Sequence, residues 1–275
     1  MPASTGPPSF PVRWARGTVA RTIYGNSIKT SLAGSDLTDR DTVVSVMLAK
    51  HFIQPHALQS VTNSRLKMAA QGMFSANRVA DYLGVCHAAI TGEGDCHVLG
   101  SVADRVLAKH LAGKPAPEAG VHDPADPGDR LNLFHARTLT IVQEAQPYLE
   151  TPGLEARLAI IPDALALAEA YCAEEALQLL QEHGTEYAEI AAVRDVFALS
   201  YLDQHATWYL THRLLEIDDI ATIKQQLRHA IDNLAQCLPQ LLDAFGFDDE
   251  ILGAPVLSED LPTAWESRCN DPQRH

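Results

Sequence analysis

With 275 residues, 46% of them apolar, the chain has enough nonpolar material to bury a substantial core in one or two domains, which excludes a disordered or fibrous protein. Its 35 acidic against 21 basic side chains give a formal charge of −14, and no basic stripe offsets it, so a nucleic-acid partner is excluded. The five cysteines are scattered without a C-x-x-C spacing, which argues for reduced thiols rather than a disulfide framework or a zinc site.

From Met1 to Pro11 the chain is rich in Pro, Ser and Gly and lacks the apolar centre of a signal peptide, so residues 1–12 read as a disordered lead. No later stretch is apolar for long enough to cross a bilayer, and the expectation is a soluble, cytoplasmic protein with no membrane partner. Helical periodicity marks Asp41 to Met68, Val98 to Ala112, Arg130 to Leu149, Leu154 to His183 and Tyr187 to His212. The clearest stripe runs through Ile220, Ile223, Leu227, Ile231, Leu234, Leu238 and Leu241. It predicts one long amphipathic helix from about Asp218 to Phe245, capped by Asp218 or Asp219 and followed by a left-handed Gly246. Pro55, Pro147, Pro162 and Pro239 fall inside these stretches and are expected to kink, divide or end them. No segment alternates as a strand between hairpin turns, so the fold class is all-α.

Between Gly113 and Asp129, Pro, Gly and Asp accumulate where a helix cannot continue, which places a linker at 113–129. It separates a helical unit at 13–112 from a second at 130–262, with a tail at 263–275. Twelve histidines invite a metal, but His51 and His56 are five apart, His205 and His212 seven, and no H-E-x-x-H occurs; no metal site is expected.

Two stretches carry chemistry. One is Ser64 to Arg78, where a helix stops near Gly72 and an irregular stretch follows; the other is Ile90 to Leu99, where Glu93 lies between Gly92 and Gly94 just before a helix starting near Asp95. Flanking glycines let backbone approach a flat ligand, and the positive end of a helix favours a carboxylate or phosphate. Locally, such a Gly-Glu-Gly-Asp turn is more often a helix start with an acidic cap than a catalytic loop.

Together the stretches resemble the closing part of the acyl-CoA dehydrogenase and acyl-CoA oxidase superfamily, nearest the oxidase branch. There a helix ends in C-R-x-x-C-G-G-x-G-[YF], and T-x-E-G-[DE]-N follows after a fixed interval. Ser64-Arg65, Gln71-Gly72 and Met73-Phe74 match the first motif, and Thr91 to Asp95 the second. Downstream, Leu242 to Phe247 and Leu252 to Val256 resemble the oxidases' closing V-D-A-F-G and L-x-A-P-I, and Tyr201 to Leu214 is more loosely similar to a helix of their last domain.

The resemblance implies a helical-bundle domain followed by a second helical domain, and a flavin-dependent desaturation of an acyl thioester, acyl-CoA or acyl-carrier-protein. Glu93 inherits the role of the base that removes the α-proton while the β-hydride moves to FAD. The α-proton is weakly acidic, so that base has to act desolvated between substrate and flavin. Gly92 and Gly94 border the thioester, and the Glu93 peptide N–H with a flavin hydroxyl stabilises the developing enolate. Ala69, Ala70, Gln71 and Gly72 occupy the segment that approaches the adenylate part of FAD, and Asp95 and His97 stand where the family reaches its adenosine. The sequence departs from the pattern in three places: the paired glycines are Ala69 and Ala70, the aromatic residue before the base is Gly92, and the usual Asn after Asp95 is Cys96.

Nothing in the sequence reads as the β-barrel that covers the flavin in this family, and no G-x-G-x-x-G replaces it. The expectation is therefore a split enzyme, a heterodimer or heterotetramer in which an acyl-CoA dehydrogenase-like partner subunit supplies the remaining FAD site. Arg13, Arg16, Arg21 and Tyr24 lie near that junction or on solvated surface. The alternative is a non-catalytic scaffold of a complete flavoenzyme, with a flavin-free lyase, isomerase or cyclase as a further possibility.

Overall fold

The computed structural model describes residues 10–36, 38–92, 94–114, 122–150, 161–246, 254–258 and 260–269. Every regular element among them is helical. Helices α1 (Phe10–Leu32), α2 (Arg40–Lys67), α3 (Val79–Thr91) and α4 (Cys96–Leu111) precede the Pro-rich interval. Helices α5 (Pro127–Glu150), α6 (Ile161–Gly184), α7 (Ala188–Gln204), α8 (Ala206–Thr211), α9 (Ile217–Asp243) and α10 (Leu261–Cys269) follow it. Short 3₁₀ turns at Ala69–Met73, Ser75–Asn77 and Pro255–Leu257 complete the regular structure described.

Side-chain caps set several boundaries. Asp39 accepts the Thr42 N–H at 3.0 Å and starts α2. Asp95 does the same for α4, accepting from His97 N at 2.8 Å and Val98 N at 3.3 Å. The cap of α9 is Glu216, two or three residues before the expected aspartates; Asp219 instead reaches back to the Glu216 N–H at 2.7 Å and closes a capping box. Gly246 adopts the expected left-handed backbone, φ +63°.

The prolines interrupt less than expected. Pro55, Pro147 and Pro239 lie within continuous α2, α5 and α9, and Pro162 is the second residue of α6, where a missing N–H has no partner to lose. The stretch from Tyr187 to His212 is two helices, α7 and α8, broken at His205. Three helices, α1, α3 and α10, lie outside the expected helical stretches.

Helix α6 is central. It packs on α1, α2, α4, α5 and α7, and its face of Ala168, Cys172, Ala173 and Ala176 lets neighbours approach closely while Leu167, Leu177 and Leu180 fill the space between them. Helix α9 lies on α7 and α1. One apolar core runs from Val19, Leu48 and Leu107 through Leu133 and Leu177 to Leu234, so the interval read as a linker does not interrupt the packing. Tyr24 belongs to this core, not to a solvated junction, and donates its hydroxyl to Cys172 Sγ at 3.5 Å. Burial raises the Tyr24 hydroxyl far above its ordinary range and pushes the Cys172 thiol up to about 12, so both stay neutral. Arg21 is engaged as well, its guanidinium 4.2 Å from the Phe52 ring centre and its Nε donating to the Phe52 carbonyl at 3.0 Å.

Candidate functional site

The turn between α3 and α4 carries the expected base. Glu93 itself lies outside the described residues, but both flanking glycines are defined. Gly92 ends α3 with extended backbone, and a Cβ there would stand 2.7 Å from the Ala88 carbonyl oxygen. Gly94 has φ +103°, a conformation side chains other than glycine's rarely adopt. Their carbonyls share one donor: Lys50 Nζ, from α2, hydrogen-bonds to Gly92 O and, at 2.8 Å, to Gly94 O. The next residue along α2 holds the other side of the turn, His51 Nδ1–H donating to Cys96 O at 3.1 Å. Burial lowers the His51 pKa, only partly offset by that hydrogen bond, so its ring stays neutral and serves as a donor.

Asp95 is occupied as the α4 cap, whereas His97 is exposed, its ring 6.4 Å from that of His51. The adenylate segment behaves differently. Ala69 takes up left-handed backbone, φ +49°, so the chain makes the turn that a glycine would favour, with an alanine in it. Ala70 is exposed, while Gly72 is buried so tightly that a Cβ would stand 2.5 Å from the Arg65 carbonyl oxygen. Gln71 is bound through its own carbonyl and side-chain oxygens to Asn77 Nδ2, at 2.9 and 3.0 Å. Ala69→Gly is expected to stabilise the chain by about 0.5–1 kcal/mol and raise its melting temperature by roughly 1–4 °C. A melting temperature that stays put or falls would show that the Ala69 methyl contributes more than its backbone costs.

The two expected stretches do not converge on one point. The 69–73 turn packs against the end of α2 and against α3, whereas Gly92 and Gly94 lie beyond α3's C-terminus. Thirteen helical residues, about 20 Å at 1.5 Å per residue, separate them. Of the residues expected at the cofactor, Ala69, Ala70 and His97 are exposed, whereas Gln71, Gly72 and Asp95 are taken up by hydrogen bonds or packing within the chain. Three exposed residues, not a full cradle, are left for a nucleotide.

Asn77, which the sequence reading passed over, links the first motif to the last. It is 3% exposed, and its Oδ1 accepts the Val256 N–H at 3.1 Å, bringing the Pro255–Leu257 turn onto the Ser75–Asn77 turn. Trp265 of α10 packs edge-on against Phe74, ring centres 5.2 Å apart, so part of the expected tail is helical and docked.

A second polar cluster was also missed. Arg137 of α5, 6% exposed, donates to Glu169 Oε2 of α6 at 2.9 Å and to the Tyr201 hydroxyl of α7. Tyr201 donates to the same carboxylate at 3.2 Å, and His205 Nε2 stands 3.6 Å from its other oxygen. Burial alone would raise the Glu169 pKa, but the nearby His205 and the Arg137 charge hold it down at about 2. The cluster lines a cavity of about 930 Å³ that His51, His56 and His97 border from the other side. Among the described residues no group of three or more His, Cys, Asp or Glu side chains is arranged to hold a metal ion. Nor is any helix among them long and apolar enough to cross a membrane.

A family model described as acyl-CoA oxidase matches residues 132–260. The chain has an acyl-CoA oxidase-like C-terminal helical part. That match begins after the Gly92–Gly94 turn; the likeness of fold extends over it. An acyl-CoA oxidase from tomato, Lycopersicon esculentum, superposes with a TM-score of 0.78 at 18% identity, over 96% of this chain and 46% of that one. Acyl-CoA oxidase-2 of Caenorhabditis elegans, bound with FAD, ascaroside-CoA and ATP, gives 0.77 at 12% identity over 96% and 46%. Acyl-CoA oxidase1 of Yarrowia lipolytica gives 0.76 at 15% over 97% and 47%. The chain therefore spans about half the length of these solved structures. No curated protein matches it by sequence.

Proposed function

We propose that this chain supplies the base-bearing turn of a flavin-dependent acyl-thioester oxidase or dehydrogenase, with an acyl-CoA dehydrogenase-like partner subunit holding most of the FAD. The observation that carries the reading is the Gly92–Gly94 turn, pinned from α2 at the head of α4, in an acyl-CoA oxidase-like helical fold. In this reading Glu93 takes the α-proton of the bound acyl-CoA or acyl-carrier-protein thioester, and its own peptide N–H donates to the thioester oxygen as negative charge develops there. FAD, when bound, accepts the β-hydride. Ala69, Ala70 and His97 are the expected cofactor residues that stand exposed in this chain, and Gly92 and Gly94 would border the thioester. A relative of the same fold binds FAD together with a CoA thioester, which supports the substrate class.

Coexpression with an acyl-CoA dehydrogenase-like chain tests the proposal. The expected product is a yellow complex whose visible flavin absorbance bleaches on adding an acyl thioester. A colourless complex, or a partner equally active alone, would replace this reading with that of a non-catalytic scaffold.

A further inference from the structure

The turn at residues 92–96 is held by two consecutive residues in the middle of a neighbouring helix. Lys50 spans the base position, its ammonium bonded to the carbonyl on either side of it, Gly92 O and Gly94 O at 2.8 Å. His51 fixes the end of the turn through Cys96 O at 3.1 Å. The α2–α4 contact that makes this possible is close. A Cβ at Gly100 would stand 2.8 Å from His51 Nδ1, and Cys96 Sγ lies 3.9 Å from the Lys50 carbonyl oxygen. The three turn oxygens are therefore tied to one turn of α2, while Asp95 ties the same segment to the start of α4.

Carbonyl oxygens at a helix end are ordinarily met by water or by a glycine-mediated turn. Here a side chain from a helix more than forty residues away meets two of them, and it brings a full positive charge to the residues flanking a carboxylate. Neither the Gly92 nor the Gly94 carbonyl can turn away without breaking a charge-assisted hydrogen bond.

We propose that Lys50 is the positioning residue of the base-bearing turn, fixing the Gly92 and Gly94 carbonyls that flank the base position; the inference rests on the function proposed above. Lys50 acts through Glu93 and takes no part in the proton or hydride transfer.

The test uses the flavin-loaded assembly and four forms of this chain: wild type, Lys50→Met, Lys50→Arg and Lys109→Met. Met keeps the stem and removes the donor and charge, Arg restores both, and Lys109 is an exposed lysine in the last turn of α4 whose loss controls for charge alone. In single-turnover flavin reduction, Lys50→Met is expected to be roughly 10- to 100-fold slower, since small misplacements of a reacting group carry penalties of that size. Its thioester dissociation constant should stay within about threefold, so the loss falls on the reduction step. Lys50→Arg should recover most of the rate, and Lys109→Met should match wild type. In the full chain alone, amide hydrogen exchange across residues 91–98 should be faster in Lys50→Met. Wild-type bleaching in Lys50→Met, an equal loss in Lys109→Met, or unchanged exchange would overturn the assignment. A wild-type assembly that does not bleach defeats the functional reading instead, and the exchange measurement still decides whether Lys50 holds the turn.

Discussion

Replacing Glu93 with glutamine is expected to leave the flavin-loaded assembly yellow and able to bind an acyl thioester, and to slow flavin reduction by at least about 10³-fold. Glutamine has the size and planarity of glutamate and can still accept a hydrogen bond, but it has no basic oxygen for the α-proton. The effect should therefore appear in the reduction step, not in binding. Among the described residues, the carboxylate nearest in sequence is already engaged. Asp95, two residues on, accepts the His97 and Val98 amides as the cap of α4, and turning it toward substrate would unpair both. The measurement is anaerobic stopped-flow bleaching at saturating thioester. A Glu93→Gln rate within threefold of wild type would remove Glu93 from the chemistry.

Much of the fold is written in local periodicity. Helices α2, α4, α5 and α9 each have one face that meets the core, and their stripes place them to within a few residues. Helix α3 escaped because its short stripe of Val79, Leu83, Cys86 and Ile90 is blurred by Tyr82 and Val85, apolar residues that stand exposed beside it. Helix α1 escaped because small and polar residues break its stripe. Gly17 lies against His56 and Gly25 against Ile53, so these glycines serve a close approach to α2 rather than a loop. At the site, the turn is legible because glycines and a capping aspartate fall within five residues. Lys50 is not, because nothing near it in the sequence marks a lysine whose partners lie 42 and 44 residues on. Asn77 and Val256 are 179 residues apart, and no spacing rule predicts their bond.

The Arg137 cluster joins three helices through partners 32 and 64 residues apart, and breaking it should have the largest effect on stability. Glu169→Gln would leave the Arg137 guanidinium 6% exposed, beside an amide and a phenol that do not neutralise it. Removing one partner of a buried pair typically costs 3–5 kcal/mol, and the partial exposure of Glu169, at 30%, argues for about 3. That corresponds to a fall in melting temperature of roughly 6–12 °C in a chain of this size. The effect has a pH signature whose sign is fixed. The Glu169 pKa is lowered in the fold to about 2 from an ordinary 4.5, so its contribution is present above pH 4.5 and is lost as pH falls toward 2. The stability gap between wild type and Glu169→Gln should therefore narrow steadily from pH 4.5 downward. A gap as wide at pH 3 as at pH 7 would show that the glutamate contributes through packing and not through its charge. Arg137→Met combined with Glu169→Leu should restore only part of the loss. The apolar pair removes the uncompensated charge, but Tyr201 keeps a buried hydroxyl that had donated to the carboxylate.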